Sequence, residues 1–170
     1  RDSNRLSDFE TISRGISFLE LDAPIIFWGN SSTTYVSIPD ATATTTAGTD
    51  CTGVGDLPTL PPSWSYHCAA SSTYRNVNGT GWIPINFTTI SSGAPFATLP
   101  VDPTNNAQSG LYYAYVTDGK KWVLTLPVES TRYIEKERLA LLSDRGTDPT
   151  RLEIGTNLIL WAKATGLQGY

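Results

Sequence analysis

The stretch Arg1-Asp-Ser-Asn-Arg-Leu-Ser-Asp-Phe-Glu-Thr-Ile-Ser-Arg-Gly-Ile-Ser-Phe-Leu-Glu-Leu21 decides the fold class of this chain. Leu6, Phe9, Ile12, Ile16 and Leu19 recur at spacings of three and four, which places them on one stripe of a 3.6-residue helix. Arg1, Asp2, Asn4, Arg5, Asp8, Arg14 and Glu20 fall largely off that stripe. The five apolar residues are therefore the expected packing face, more buried than Arg5, Asp8 or Glu20. Asp2, Ser3 and Ser7 are candidate caps, but no turn residue or apolar lead-in precedes them. A helix opening on a charged turn is expected to continue a segment upstream of Arg1. Its end is set near Leu21-Asp22, because Pro24 disfavours helical backbone at Ala23.

Working outward, 170 residues suffice for one domain with a real core. Hydrophobic residues make up 39% and charged residues only 16%, so the polarity comes from Ser, Thr, Asn and Gly, a common look for extracellular β-rich proteins. The net charge is −4 with no basic run, which argues against nucleic-acid binding. No stretch approaches the ~20 apolar residues that span a bilayer. Cys51 and Cys68 flank a Gly/Pro/Ser/Thr-rich region. A disulfide there fits an oxidising compartment, at roughly 3 kcal/mol in the chain-entropy model. Two free buried thiols are the other reading.

Along the chain, Ile25 to Trp28 reads as a short strand or packed connection, and Thr34 to Ile38 as a strand. Residues 39 to 64 read as a long surface loop stapled by the cysteines. Trp82 to Phe87 alternates around Pro84, which implies an edge strand or an extended segment. The sharpest local signal is a hairpin, Leu111 to Thr117 and Lys120 to Pro127, separated by Asp118-Gly119. That pair suits a type I′ turn with positive φ at both positions. Tyr113, Tyr115 and Thr117 face one side, Tyr112, Ala114 and Val116 the other, and one face is expected against the first helix. Glu129 to Leu142 is expected as a short helix, Ser143 to Thr150 as a loop, and Leu152 to Leu160 as β-like around Gly155.

Several motifs in order carry a family resemblance. Arg1-Asp-Ser-x-Arg-Leu-Ser-Asp-Phe-x-Thr-Ile12 resembles the second half of the N-terminal helix of type IV pilins and type II secretion pseudopilins. Leu99-Pro-Val-Asp-Pro103 with Asn105 and Asn106, then Tyr112 to Gly119, Trp122-Val-Leu-Thr125 and Val128-Glu-Ser130, resembles the C-terminal β-region of pilins related to the major pseudopilin. Asp144-Arg-Gly146 and Glu153-Ile-Gly-Thr156 resemble a closing segment of pilin-like proteins. The resemblance covers both ends and leaves about 25 to 95 unmatched. It implies an α+β domain over 1–170: residues 1–21 as the C-terminal half of the pilin helix, 22–98 as a variable loop and strand region, and 99–170 as the β-region and C-terminal segment. The helix is expected on an antiparallel sheet of about four strands.

The resemblance also implies a structural subunit of an extracellular filament, for adhesion, motility, DNA uptake or secretion. Its partners are other subunits through an apolar half-helix, the inner membrane before assembly, and the assembly machinery. Major pseudopilins bind calcium near the C-terminus. The candidates here are Asp144 and Asp148, although Asp-x-Gly-x-Asp is loose and also reads as a solvated turn. No cofactor is otherwise implied. Catalysis is not expected: Gly-x-Ser-x-Gly, P-loop and His-Glu-x-x-His motifs are lacking, and His67 is the single histidine. Asn30, Asn78 and Asn86 open formal glycosylation sequons, which loop composition alone explains. From another class, the rival is a carbohydrate- or surface-binding module using Trp28, Trp64 and Trp82 as exposed platforms.

Overall fold

The computed structural model describes residues 1–130 and 148–167. Helix α1 spans Asp2–Asp22 and ends at Ala23, whose backbone is extended at φ −96° and ψ 127°. That is the conformation the following proline imposes. Strands β1 (Thr33–Asp40), β2 (Ser65–Ala70), β3 (Ala114–Thr117), β4 (Trp122–Pro127) and β5 (Arg151–Gly155) form one sheet in the order β2-β1-β3-β4-β5. Helix α2 (Ile159–Thr165) follows β5 and stops at Gly166 in the left-handed region at φ 73°. No helix among the described residues is long and apolar enough to cross a membrane.

The architecture is α+β, but the sheet has five strands and is mixed rather than a four-stranded antiparallel one. β1 and β2 run parallel; β1–β3, β3–β4 and β4–β5 are antiparallel. β2 is the strand that the sequence pattern does not announce. Ser65-Tyr-His-Cys-Ala-Ala70 follows Pro61-Pro62 and lacks β-branched residues, so pairing with β1 makes it a strand rather than local preference. A parallel pair needs a crossover of a dozen or more residues, usually a helix. Here the loop after Asp40 makes that crossover without one.

Both sheet faces are covered. α1 and the irregular 82–99 segment pack on the inner face, where Phe9, Ile12, Ile16 and Leu19 meet Tyr35, Trp82, Tyr113, Tyr115 and Leu124. On the outer face Val36, Cys68, Tyr112, Ala114, Val116 and Val123 meet Leu160, Trp161 and Ala164. The Tyr-rich strand thus splits between two cores by its period of two. Trp82, Ile83, Ile85 and Phe87 are all fully buried, so this run is no edge strand. It is an irregular inner layer that bends at Trp82 and Ile83, enters a 3-10 turn at Phe87–Thr89, and is tied by an isolated bridge between Asn78 and Asn86.

Two further expectations are corrected. The hairpin resumes pairing at Thr117 opposite Trp122, so its loop is Asp118 to Lys121 rather than two residues. Gly119 alone of the pair takes a positive φ, at 94°. The Asp118 carboxylate accepts from the backbone N–H groups of Lys120 (2.9 Å) and Lys121 (2.7 Å). Such Asx bonding closes a longer loop without left-handed backbone at Asp118. Second, the β-like run ends at Gly155, and Leu160 belongs to α2. There the N–H groups of Thr156 and Asn157 both turn in to the Trp122 carbonyl. Of the two readings of Ile25 to Trp28, the packed connection is the one found: Ile26 and Trp28 lie on the inner core, and Ile25 and Phe27 are exposed. Of the helix expected over Glu129–Leu142, only Glu129 and Ser130 lie within the described residues, and the calcium candidate Asp144 lies outside them.

Candidate functional site: the helix anchor and the outer-face cavity

The buried stripe of α1 follows the expected face at Phe9, Ile12, Ile16 and Leu19 but departs from it in the first turn. Leu6 is only half-buried, whereas Asp2, Arg5, Phe9, Ile12, Ile16 and Leu19 are buried. Those positions advance by 3, 4, 3, 4 and 3, an unbroken heptad whose first two members are charged. Arg5 is fully buried and acts as a hub. Its Nε donates to Asp102 Oδ2 (2.6 Å) and its Nη2 to Asp102 Oδ1 (3.2 Å). Its Nη1 donates to Asp2 Oδ1 and to Glu129 Oε2, both at 2.7 Å. Burial pulls the Arg5 pKa down, but the bonds to Asp102, Glu129 and Asp2 outweigh it and the net shift is upward.

The carboxylates are themselves held. Asp102 Oδ1 accepts from the N–H groups of Thr104 (2.8 Å) and Asn105 (3.3 Å), the turn that the Asp-Pro motif predicts. Asp2 accepts from the N–H groups of Glu129 (3.2 Å) and Ser130 (2.9 Å). Burial raises the Asp2 pKa, yet the Arg5 bond and those two N–H bonds bring it below the ordinary value. One turn further on, Tyr113 Oη donates to Asp8 Oδ2 at 2.8 Å. The first two turns of α1 are thereby clamped to three separate later segments, around Asp102, Tyr113 and Glu129.

Cys51 and Cys68 form a disulfide with Cα atoms 5.1 Å apart. Thr49 and Cys68 exchange backbone hydrogen bonds of 2.9 and 3.0 Å, which lays the crossover loop along β2. At the head of that loop Asp40, the last residue of β1, accepts from Thr49 Oγ1, Thr42 Oγ1, and the N–H groups of Thr42 and Gly53. The Thr49 and Thr42 hydroxyl bonds, foremost, hold its carboxyl down to about 2.

A cavity of about 360 Å³ opens on the outer face, between the Pro58–Leu60 stretch, Tyr66, Tyr112 and α2. Arg151, at the start of β5, lies in its wall. Its Nε donates to Thr125 Oγ1 (3.0 Å), its Nη1 to the Gly110 carbonyl (3.3 Å) and its Nη2 to the Tyr112 carbonyl. The guanidinium also lies 5.0 Å from the Tyr112 ring centre and 5.4 Å from that of Trp161. Burial lowers its pKa, opposed by Tyr112 and Asp148, although a guanidinium stays charged regardless.

Part-way along this wall stands Asp148, the second calcium candidate. Its Oδ1 accepts from Thr150 N–H (2.9 Å) and Oγ1 (2.7 Å), and its Oδ2 from Trp161 Nε1 (3.2 Å). The carboxylate ties a turn to α2. No group of three or more His, Cys, Asp or Glu among the described residues is placed to hold a metal ion. No family model, curated protein or solved structure matches the chain.

The tryptophan platform loses its centre. Trp82 is fully buried and donates from Nε1 to the Pro100 carbonyl at 2.9 Å, and Trp28 and Trp64 are half-buried against the inner and outer cores. Arg5, Arg151 and Thr34 are the site residues that sequence reading passed over. For Arg5 the heptad phase was a usable signal. For Arg151 and Thr34 nothing local marks them, because the strands of their cavity meet only through the sheet.

Proposed function

We propose that this chain is the globular head of a type IV pilin-like filament subunit, a structural protein rather than an enzyme. The observation that carries the reading is the clamped start of α1. A filament built on axial helices must transmit load from helix to head. Arg5 couples the first turn to Asp102 and Glu129, far apart in the chain, while the apolar heptad seats the rest on the sheet. The motif order from Arg1 to Thr156 adds to this, as does the α+β layout with an N-terminal helix and one disulfide. Phe18, Leu21, Ile25 and Phe27 remain exposed near the end of α1, and we read them as contacts to neighbouring subunits.

In this reading an apolar half-helix precedes Arg1 in the full gene product. It anchors the subunit in the inner membrane, and assembly machinery then moves it into an extracellular filament, with the 39–62 loop facing solvent. The test is expression of the full gene with electron microscopy of the cells, beside light scattering of the 170-residue chain. Filaments from the former and monomers from the latter are expected. A gene opening on an ordinary secretory signal immediately before Arg1 overturns the reading, as does substrate turnover by the chain.

A further inference from the structure

The outer-face cavity is lined by no residue of α1. Its wall carries one cation, Arg151, and one carboxylate, Asp148, so its formal charge is zero among the described residues. A guanidinium has five N–H donors. Three bonds to Thr125, Gly110 and Tyr112 use one on each nitrogen, which leaves two without a protein acceptor. Asp148 accepts three hydrogen bonds, one fewer than its roughly four lone-pair positions. Thr34 also lines the cavity. It is 2% exposed, yet its Oγ1 has no hydrogen-bond partner. Buried hydroxyls are seldom left unpaired, and each that is costs stability.

We propose that this cavity binds a neutral saccharide ring. The unmet groups are donors and acceptors together, and a ligand hydroxyl donates and accepts at once. A vicinal pair of hydroxyls accepts from Arg151 and donates to Asp148, and a third meets Thr34 once its hydroxyl, sealed from solvent, turns outward. The apolar C–H face of the ring lies against Tyr66 and Trp161. An anionic ligand meets Arg151 equally well but stands beside Asp148, where like charges repel. An apolar ligand leaves every one of these polar groups unmet. The volume lies within the roughly 300–1,000 Å³ range of small-molecule sites. The inference does not depend on filament formation, and its site differs from a platform of Trp28, Trp64 and Trp82.

The experiment is a nitrogen-15 amide titration of the whole chain with the methyl glycosides of glucose, galactose, mannose and N-acetylglucosamine, beside glucuronate as the anionic arm. At least one neutral glycoside is expected to shift the Gly110 and Thr150 amides and the Trp161 indole N–H, with a Kd of about 1 mM. Thr34→Val, nearly the same shape and without loss of an internal bond, is expected to weaken it about tenfold (~1.4 kcal/mol). Thr34→Ser is expected to restore it, and Trp64→Ala to leave it unchanged. The proposal is overturned if no glycoside shifts these signals, if glucuronate binds and the neutral glycosides do not, or if Thr34→Val binds as well as the parent. Shifts confined to the surroundings of Trp28 or Trp64 overturn it too.

Discussion

Arg5→Ala is the substitution that most directly tests the anchored helix. It removes the cation between Asp102, whose side chain is fully buried, and Asp2, 8% exposed. Breaking a buried pair from one side costs about 3–5 kcal/mol, because the remaining charge stays buried. Both carboxylates keep two backbone N–H donors, which sets the expectation at the lower end, about 3 kcal/mol. Glu129 is a third exposed and adds at most about 1 kcal/mol. With a urea slope of about 2 kcal/mol per M, the midpoint drops by roughly 1.5 M. In the double variant Arg5→Ala/Asp102→Ala the costs are expected to fall short of additive by about 1–3 kcal/mol. The acid limb gives a separate check. Asp2 titrates below its ordinary value in the folded chain, so its contribution is complete above the unfolded pKa of about 3.9 and lost as pH falls through the lower folded value. Without Arg5 that acid-side loss is expected to shrink. A cost under about 1 kcal/mol, the range of surface pairs, or strict additivity with Asp102→Ala refutes the anchor.

Three further outcomes are expected. Gly155→Ala places a Cβ 2.1 Å from the Trp122 carbonyl oxygen and 2.7 Å from Val123 Cα, both backbone, so a loss of about 1–3 kcal/mol is expected in thermal melts. Unreduced protein is expected to show no reactive thiol, and Cys51→Ala/Cys68→Ala to lower stability by roughly 3 kcal/mol in urea titrations. Asp40→Asn removes a carboxyl held down to about 2 by Thr49 and Thr42; the parent should gain over it as pH rises from about 2 to 4 and stay ahead at neutral pH, read from melts across that window.

Much of the inner architecture was legible because it follows periodic rules. The 9-12-16-19 stripe and the alternation of Tyr112 to Val116 each report a face directly, and Pro24 reports a boundary. The first turn was misread because both Arg5 and Leu6 fit a backward step from Phe9. Apolarity favoured Leu6, whereas three carboxylates, two of them distant in sequence, made Arg5 the buried one. β2 was invisible because its strand character comes from β1 and Thr49 rather than from its own residues. The hairpin loop was misjudged because Asp118 side-chain bonds outcompete a two-residue turn, a contest that dipeptide identity does not reveal. The cavity was beyond reach: Thr34, Tyr66 and the Asp148–Arg151 turn come from three stretches far apart in the chain.

The crossover loop also governs what the sheet can recruit. β2 is its outermost strand on that side, and an uncovered outer strand is a template for pairing with another chain. Here Thr49 occupies both backbone groups of Cys68, and the Ala70 carbonyl accepts from Thr73 and Tyr74. The cystine holds Thr49 close to that position through Cys51, two residues on. Reduction therefore does more than lengthen a loop: it releases the guard from the border of the sheet. A chain that reaches high local concentration before its thiols are oxidised is exposed to strand-to-strand aggregation at Tyr66 to Ala70, and oxidation closes that route.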